Sequence, residues 1–152
     1  MTRVSMVPPP KDDPVLMAEL ERVGLNGDSI YNHRPSISVR LRDFYNSLSH
    51  EGTLSRRLQE IIRLRIAFHN QCKRCITVRY NEAIEDGVTE ELVCSLEKPE
   101  EAPDLTDAER AALRFADRFA TGHLSIDDAA YDDLRQYYSE AELFEIGLNC
   151  AT

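Results

Sequence analysis

An all-α fold, a single-domain helical bundle of about seven or eight helices, is predicted by three features of this 152-residue chain. Apolar residues recur at helical spacing over most of its length, and helix-starting and helix-stopping residues punctuate those stretches. No stretch shows sustained period-2 alternation of β-branched residues bounded by turns, and no internal repeat is present. The length suits one core, since a chain of this size buries about 68–70% of the surface it exposes when unfolded.

Taken in order, residues 1–13 read as a flexible leader, and residues 14–152 as the helical domain. Pro14 at a first helical position opens a segment carrying Leu16, Leu20 and Val23, closed by Gly24. Pro35 opens a second, whose Ile37, Leu41, Phe44, Tyr45 and Leu48 form one stripe expected to be buried, before Gly52 stops it. A third begins near Ser55 and carries Leu58, Ile61, Ile62, Leu64, Ile66 and Phe68 to about Asn70; apolar on more than one side, it should be central. A cysteine-bearing helix is expected from Cys72 through Ile76, Ala83 and Ile84 to Gly87, a natural residue just past a helix end. Thr89 caps a short helix to Leu96, and Lys98 to Asp104, with two prolines and three acids, reads as a loop. Capping boxes Thr106-x-x-Glu109 and Ser139-x-x-Glu142 open two further helices, with Tyr131, Leu134 and Tyr138 suggesting one between them. The apolar stripe of the last is still in phase at Thr152, so that helix is expected to be cut short.

Composition narrows the function. No apolar run approaches the roughly 20 residues needed to span a bilayer. A net charge of −9 argues against nucleic acid as a partner. The N-terminus lacks the apolar stretch of a secretory signal, which places the chain in the cytoplasm and argues against a framework of structural disulfides. Catalysis, metal binding or packing remain for the four cysteines.

The acidic chain has one basic window. Residues 55–80 hold seven of the 18 Lys and Arg (Arg56, Arg57, Arg63, Arg65, Lys73, Arg74, Arg79) but a single acid, Glu60. Inside it stands Cys72-Lys73-Arg74-Cys75. A Cys-x-x-Cys at a first helical turn is favoured as a redox dithiol, because helix-terminal N–H groups and nearby cations both stabilise a thiolate. The two-residue spacing lets one sulfur attack the other once that is oxidised. Zinc, the competing reading, would need two more ligands from Cys94, Cys150 and scattered histidines, without a second paired motif. A thioredoxin-like fold would need a βαβ pattern that is missing. Glu60 could alternatively be a surface ion-pair partner of Arg56 or Arg63, His69 a structural histidine, and Cys94 and Cys150 packing residues on apolar faces.

The spacing Glu60-x11-Cys72-x2-Cys75 resembles that of alkyl hydroperoxidase D-like proteins, within the carboxymuconolactone decarboxylase superfamily. Gly52-Thr53-Leu54-Ser55-Arg56-Arg57-Leu58 and Ala83-Ile84-Glu85-Asp86-Gly87-Val88 are also similar, and the resemblance covers about residues 35 to 150. It implies an all-helical subunit assembling as a homotrimer or homohexamer, and a thiol-dependent peroxidase that reduces organic hydroperoxides without metal or bound cofactor, re-reduced by a dithiol partner. Cys75 would attack the peroxide, Cys72 would resolve the sulfenic acid, and Glu60 would serve a proton relay. Where that family places a histidine four residues after the second cysteine, and often another between the cysteines, this chain has Arg79 and Arg74, neither of which can act as a base. Arg79 is expected to bridge Glu60 and the Cys75 thiolate, with His69 and Arg74 as auxiliary residues. The alternatives are a decarboxylase-type lyase, for which the cysteine pair is unnecessary, and a non-enzymatic oligomeric redox sensor.

Overall fold

The structure, a computed structural model, describes residues 3–152; of the leader predicted over residues 1–13, the first two lie outside the described residues. Nine α-helices and three short 3-10 turns, with no strand, account for the regular structure of the described residues. The chain divides into two compact units, Met1–Glu51 and Gly52–Thr152.

The first unit pairs α1 (Pro14–Arg22) with α2 (Pro35–His50). The Asp13 carboxylate caps α1 by accepting from the Leu16 N–H. Gly24, at φ +71°, ends it: the Gly24 N–H donates to the Glu21 carbonyl and the Leu25 N–H to that of Leu20, a Schellman closure that buries Leu20 against Leu25. The small core comprises Leu20, Val23, Leu25 and Val39, and Arg22 grips Asp43 with two hydrogen bonds of 2.7 and 3.0 Å. The stripe expected to be buried on α2 is not: Ile37 is 65% exposed, and Leu41 and Phe44 are exposed too. Val39, about 120–180° round the helix from the residues of that stripe at 100° per residue, is the side of α2 that enters the core. A two-helix unit can cover one side of α2 only.

In the second unit α3 (Arg56–His69) is the axis, as its apolar distribution predicts. It packs on α7 (Asp107–Thr121), on α9 (Glu140–Ala151), and on α4 (Lys73–Thr77) and α5 (Asn81–Glu85). Helices α6 (Glu90–Ser95) and α8 (Asp128–Arg135) complete the unit. Ile61, Ile62 and Leu64 are fully buried with Leu92, Leu96, Leu113, Leu134 and Ile146. Both capping boxes form: Thr106 with Glu109, and Ser139 with Glu142.

The single cysteine helix expected from Cys72 to Gly87 is broken. Val78, Arg79 and Tyr80 are non-helical, which separates α4 from α5 and raises the helix count among the described residues to nine. Carbonyls that would continue the helical ladder accept instead from arginines: Cys75 and Val78 from Arg63, Ile76 and Val78 from Arg79. Thr77 and Val78, both β-branched, add little helical preference to resist. Gly87, at φ +87°, closes α5 as predicted, with the Gly87 N–H on the Ile84 carbonyl and the Val88 N–H on that of Ala83.

Candidate functional site

The turn that presents the cysteines is built by the end of α3. Asn70 caps that helix, and Gln71 follows at φ +51°, the one positive-φ residue other than glycine among the described residues. Its N–H donates to the Phe68 carbonyl and the Cys72 N–H to that of Ala67, the same closure that glycines make at α1 and α5. A glutamine pays strain in the left-handed region, of order 1 kcal/mol. That kink sets Cys72 as the cap of α4, with Cys75 inside its first turn.

Cys72 and Cys75 are joined as a disulfide, their Cα atoms 5.3 Å apart. Both are half-buried, with Lys73 and Arg74 between them exposed. The Cys75 N–H donates to Cys72 Sγ at 3.3 Å, which favours negative charge on that sulfur when the pair is reduced.

Behind the disulfide lies the one acid of the basic window. Glu60 is 3% exposed, and Arg63, three residues on and so on the same helix face, clasps both its oxygens at 2.7 Å. The same guanidinium donates to the Cys75 carbonyl at 2.7 Å and to that of Val78 at 3.2 Å, and lies over the Tyr80 ring, 5.2 Å from its centre. Arg63 therefore connects Glu60 to the cysteine turn. The sequence shows Arg63 only as an ion-pair partner of Glu60; their i,i+3 spacing was the available signal, while Tyr80 comes in through the break after α4 and leaves no local trace.

Arg79 does not bridge Glu60 and the sulfurs. Its guanidinium forks onto Glu90 at 2.7 and 3.0 Å and braces the Ile76 and Val78 carbonyls. Those hydrogen bonds raise Arg79 above its ordinary pKa and lower Glu90 below its own. Glu60 is already satisfied by Arg63, leaving Arg79 to an acid from the next helix. His69 likewise turns from the cysteines, its Nε2 lying 2.7 Å from an Asp117 oxygen that Arg65 also engages. Cys150 is buried, and burial pushes its thiol up to about 12. Cys94, expected on an apolar face, is exposed: it sits on the outer side of a six-residue helix that buries Leu92 and Val93. Among the described residues, no cluster of three or more His, Cys, Asp or Glu is placed to hold a metal ion, and no helix is long and apolar enough to cross a membrane.

Nine helices among the described residues, with a disulfide turn braced from behind by a buried acid, define an all-helical protein of the alkyl hydroperoxidase D-like fold. The carboxymuconolactone decarboxylase family matches residues 37–118, and the chain belongs to it. Two uncharacterized proteins of Mycobacterium tuberculosis, from strains CDC 1551 / Oshkosh and ATCC 25618 / H37Rv, are 26% identical over 144 residues, which cover 88% of this chain and 50% of theirs. The chain thus spans about half the length of the curated relatives it matches. Among solved structures, the debrominase Bmp8 superposes with a TM-score of 0.74 at 22% identity, covering 99% of this chain and 84% of that one. An alkylhydroperoxidase AhpD core, an uncharacterized peroxidase-related protein from Ralstonia eutropha JMP134, does so with 0.72 at 18% identity, covering 99% and 85%. At these identities the likeness is one of fold.

Proposed function

We propose that this protein is a thiol-dependent peroxidase that reduces organic hydroperoxides through a Cys72/Cys75 dithiol–disulfide cycle. The observation that carries the reading is the half-buried Cys72–Cys75 disulfide on a turn tied by Arg63 to buried Glu60. The Cys75 thiolate attacks the terminal peroxide oxygen, the O–O bond breaks, and the alkoxide leaves as alcohol after taking a proton. The resulting Cys75 sulfenic acid is attacked by the Cys72 thiolate, the S–S bond forms, and water departs. A dithiol reductant returns the two electrons. Cys72 is suited to the second step by the N–H it receives from Cys75.

Glu60 is the group proposed to relay the proton, acting on the cysteine turn through Arg63. Arg79, held by Glu90, braces the turn and transfers no proton. The work needs no metal or bound cofactor. We place it in the cytoplasm, in a homotrimer or homohexamer for which the exposed Ile37, Leu41 and Phe44 of α2 offer apolar surface.

The test is multiple-turnover peroxide consumption with a small dithiol as reductant, comparing wild type with Cys75→Ser, Cys72→Ser and Glu60→Gln. Sustained turnover lost in both cysteine variants and slowed in Glu60→Gln is expected. One oxidation without turnover would assign a sensor role instead, and cysteine-independent decarboxylation of a lactone acid would assign the lyase role.

A further inference from the structure

The basic window is mostly consumed by the protein itself. Arg56 pairs with Glu82, Arg57 with Glu109, Arg63 with Glu60, Arg65 with Asp117 and Arg79 with Glu90. Of the window's seven cations, the two left without a carboxylate among the described residues are Lys73 and Arg74. Both are exposed, and both stand between the two bonded sulfurs in the chain. Of the acids on α3, α5 and α6, Glu60, Glu82 and Glu90 are each held by an arginine, and Glu85 and Glu91 make no salt bridge among the described residues. A chain of net charge −9 thus keeps a local, unneutralised positive charge at the one place where an outside thiol must arrive. Like charge over the rest of the surface would repel an anionic thiol; this patch draws it to the sulfurs.

We propose that Lys73 and Arg74 are a docking and specificity site for the reductant, and that the reductant carries negative charge beside its attacking thiol. The inference rests on the dithiol cycle proposed above. In the step concerned, the incoming thiolate attacks one sulfur of the Cys72–Cys75 bond, that bond breaks, and a mixed disulfide forms as the other cysteine leaves as thiolate. A second thiolate of the reductant then displaces the remaining cysteine, so that the reductant ends as the disulfide and the protein as the dithiol. The shared chemistry is an anionic group beside the attacking thiol, and the arms of the experiment distinguish a small molecule from the acidic surface of a dithiol protein.

The experiment uses the oxidised full chain and three thiols that differ in charge: 2-mercaptoethanesulfonate, 2-mercaptoethanol and cysteamine. Rates of disulfide reduction are compared at equal thiolate concentration and corrected for intrinsic nucleophilicity with a model disulfide. Wild type is expected to favour the sulfonate over the neutral thiol roughly three- to tenfold at low salt, with the preference falling as salt rises. Lys73→Glu/Arg74→Glu should reverse the order in favour of cysteamine, and Lys73→Gln/Arg74→Gln should level it. Because each ratio is taken within one variant, a general loss of rate does not affect it, and circular dichroism confirms the fold. In a parallel arm, a reduced thioredoxin of net negative charge is used: a rate that collapses in the Glu variant assigns the charge to a protein surface, while a response confined to the sulfonate assigns it to a small molecule. Equal ratios in wild type and both variants would overturn the proposal while leaving the cycle intact. A disulfide that no thiol reduces would overturn the cycle and the proposal together.

Discussion

Arg63 is the residue on which the site's geometry turns. Four hydrogen bonds from one guanidinium hold Glu60, Cys75 and Val78, so Arg63→Ala leaves a buried carboxylate unpaired and two carbonyls free. The expected cost is about 3 kcal/mol of stability in urea unfolding, with slower oxidation of the dithiol by peroxide. Arg63→Lys, which cannot make the fork, should recover the charge but not the rate. At Gln71 the opposite sign is expected. Glycine takes φ +51° without strain, so Gln71→Gly should stabilise by about 1 kcal/mol; a loss would mean that the side chain contributes more than the strain removes. The Cys-x-x-Cys pair and the end of the third helix near Asn70 were legible in the sequence because their signals are local, whereas Glu60 was singled out by the resemblance, its own spacing reading as a surface ion pair. The partner of Arg79 was not, because Glu90 lies on another helix, and the i,i+3 spacing that offers Arg63 to Glu60 does not show that Arg63 takes both carboxylate oxygens.

Among the elements, those with local signals formed as read: the proline starts of α1 and α2, the capping boxes of α7 and α9, the glycine closures after α1 and α5. The break between α4 and α5 escaped the sequence because side chains from outside the segment and a neighbouring position take its carbonyls. The stripe on α2 misled because periodicity shows that a face is apolar, not that something covers it. Glu109 links two elements. It completes the capping box of α7 and accepts at 2.6 Å from Arg57, which also reaches the Gly87 and Asp104 carbonyls. Burial raises its pKa, but the hydrogen bonds from Arg57 and from the Thr106 backbone outweigh that, so the net shift is downward. A carboxyl depressed in the folded state adds stability above its unfolded pKa and loses it as pH falls through the folded value. Wild type should therefore be more stable than Glu109→Gln at pH 7, with the gap closing below about pH 4, as read from thermal unfolding at both pH values. A gap independent of pH would mean that packing, not the ion pair, is responsible.

The whole molecule places its chemistry beside its most tightly packed helix. The axis α3 buries Ile61, Ile62 and Leu64 in the core, while Arg63 on the same helix joins Glu60 to Cys75 of α4 and to Val78 just beyond it. Leu64→Ala should cost about 3 kcal/mol and, by loosening the helix that carries Arg63, should slow disulfide formation as well; loss of stability with an unchanged rate would separate the core from the site. The all-α class was legible from patterning alone, whereas the division at Glu51/Gly52 left no mark in composition. The most direct measurement is to mix the reduced protein with one equivalent of an organic hydroperoxide and map its sulfurs by mass spectrometry, with Cys75→Ser alongside. A Cys72–Cys75 disulfide that forms far faster than free cysteine oxidises, and that the substitution abolishes, is the predicted result; oxidation no faster than free cysteine would contradict the account.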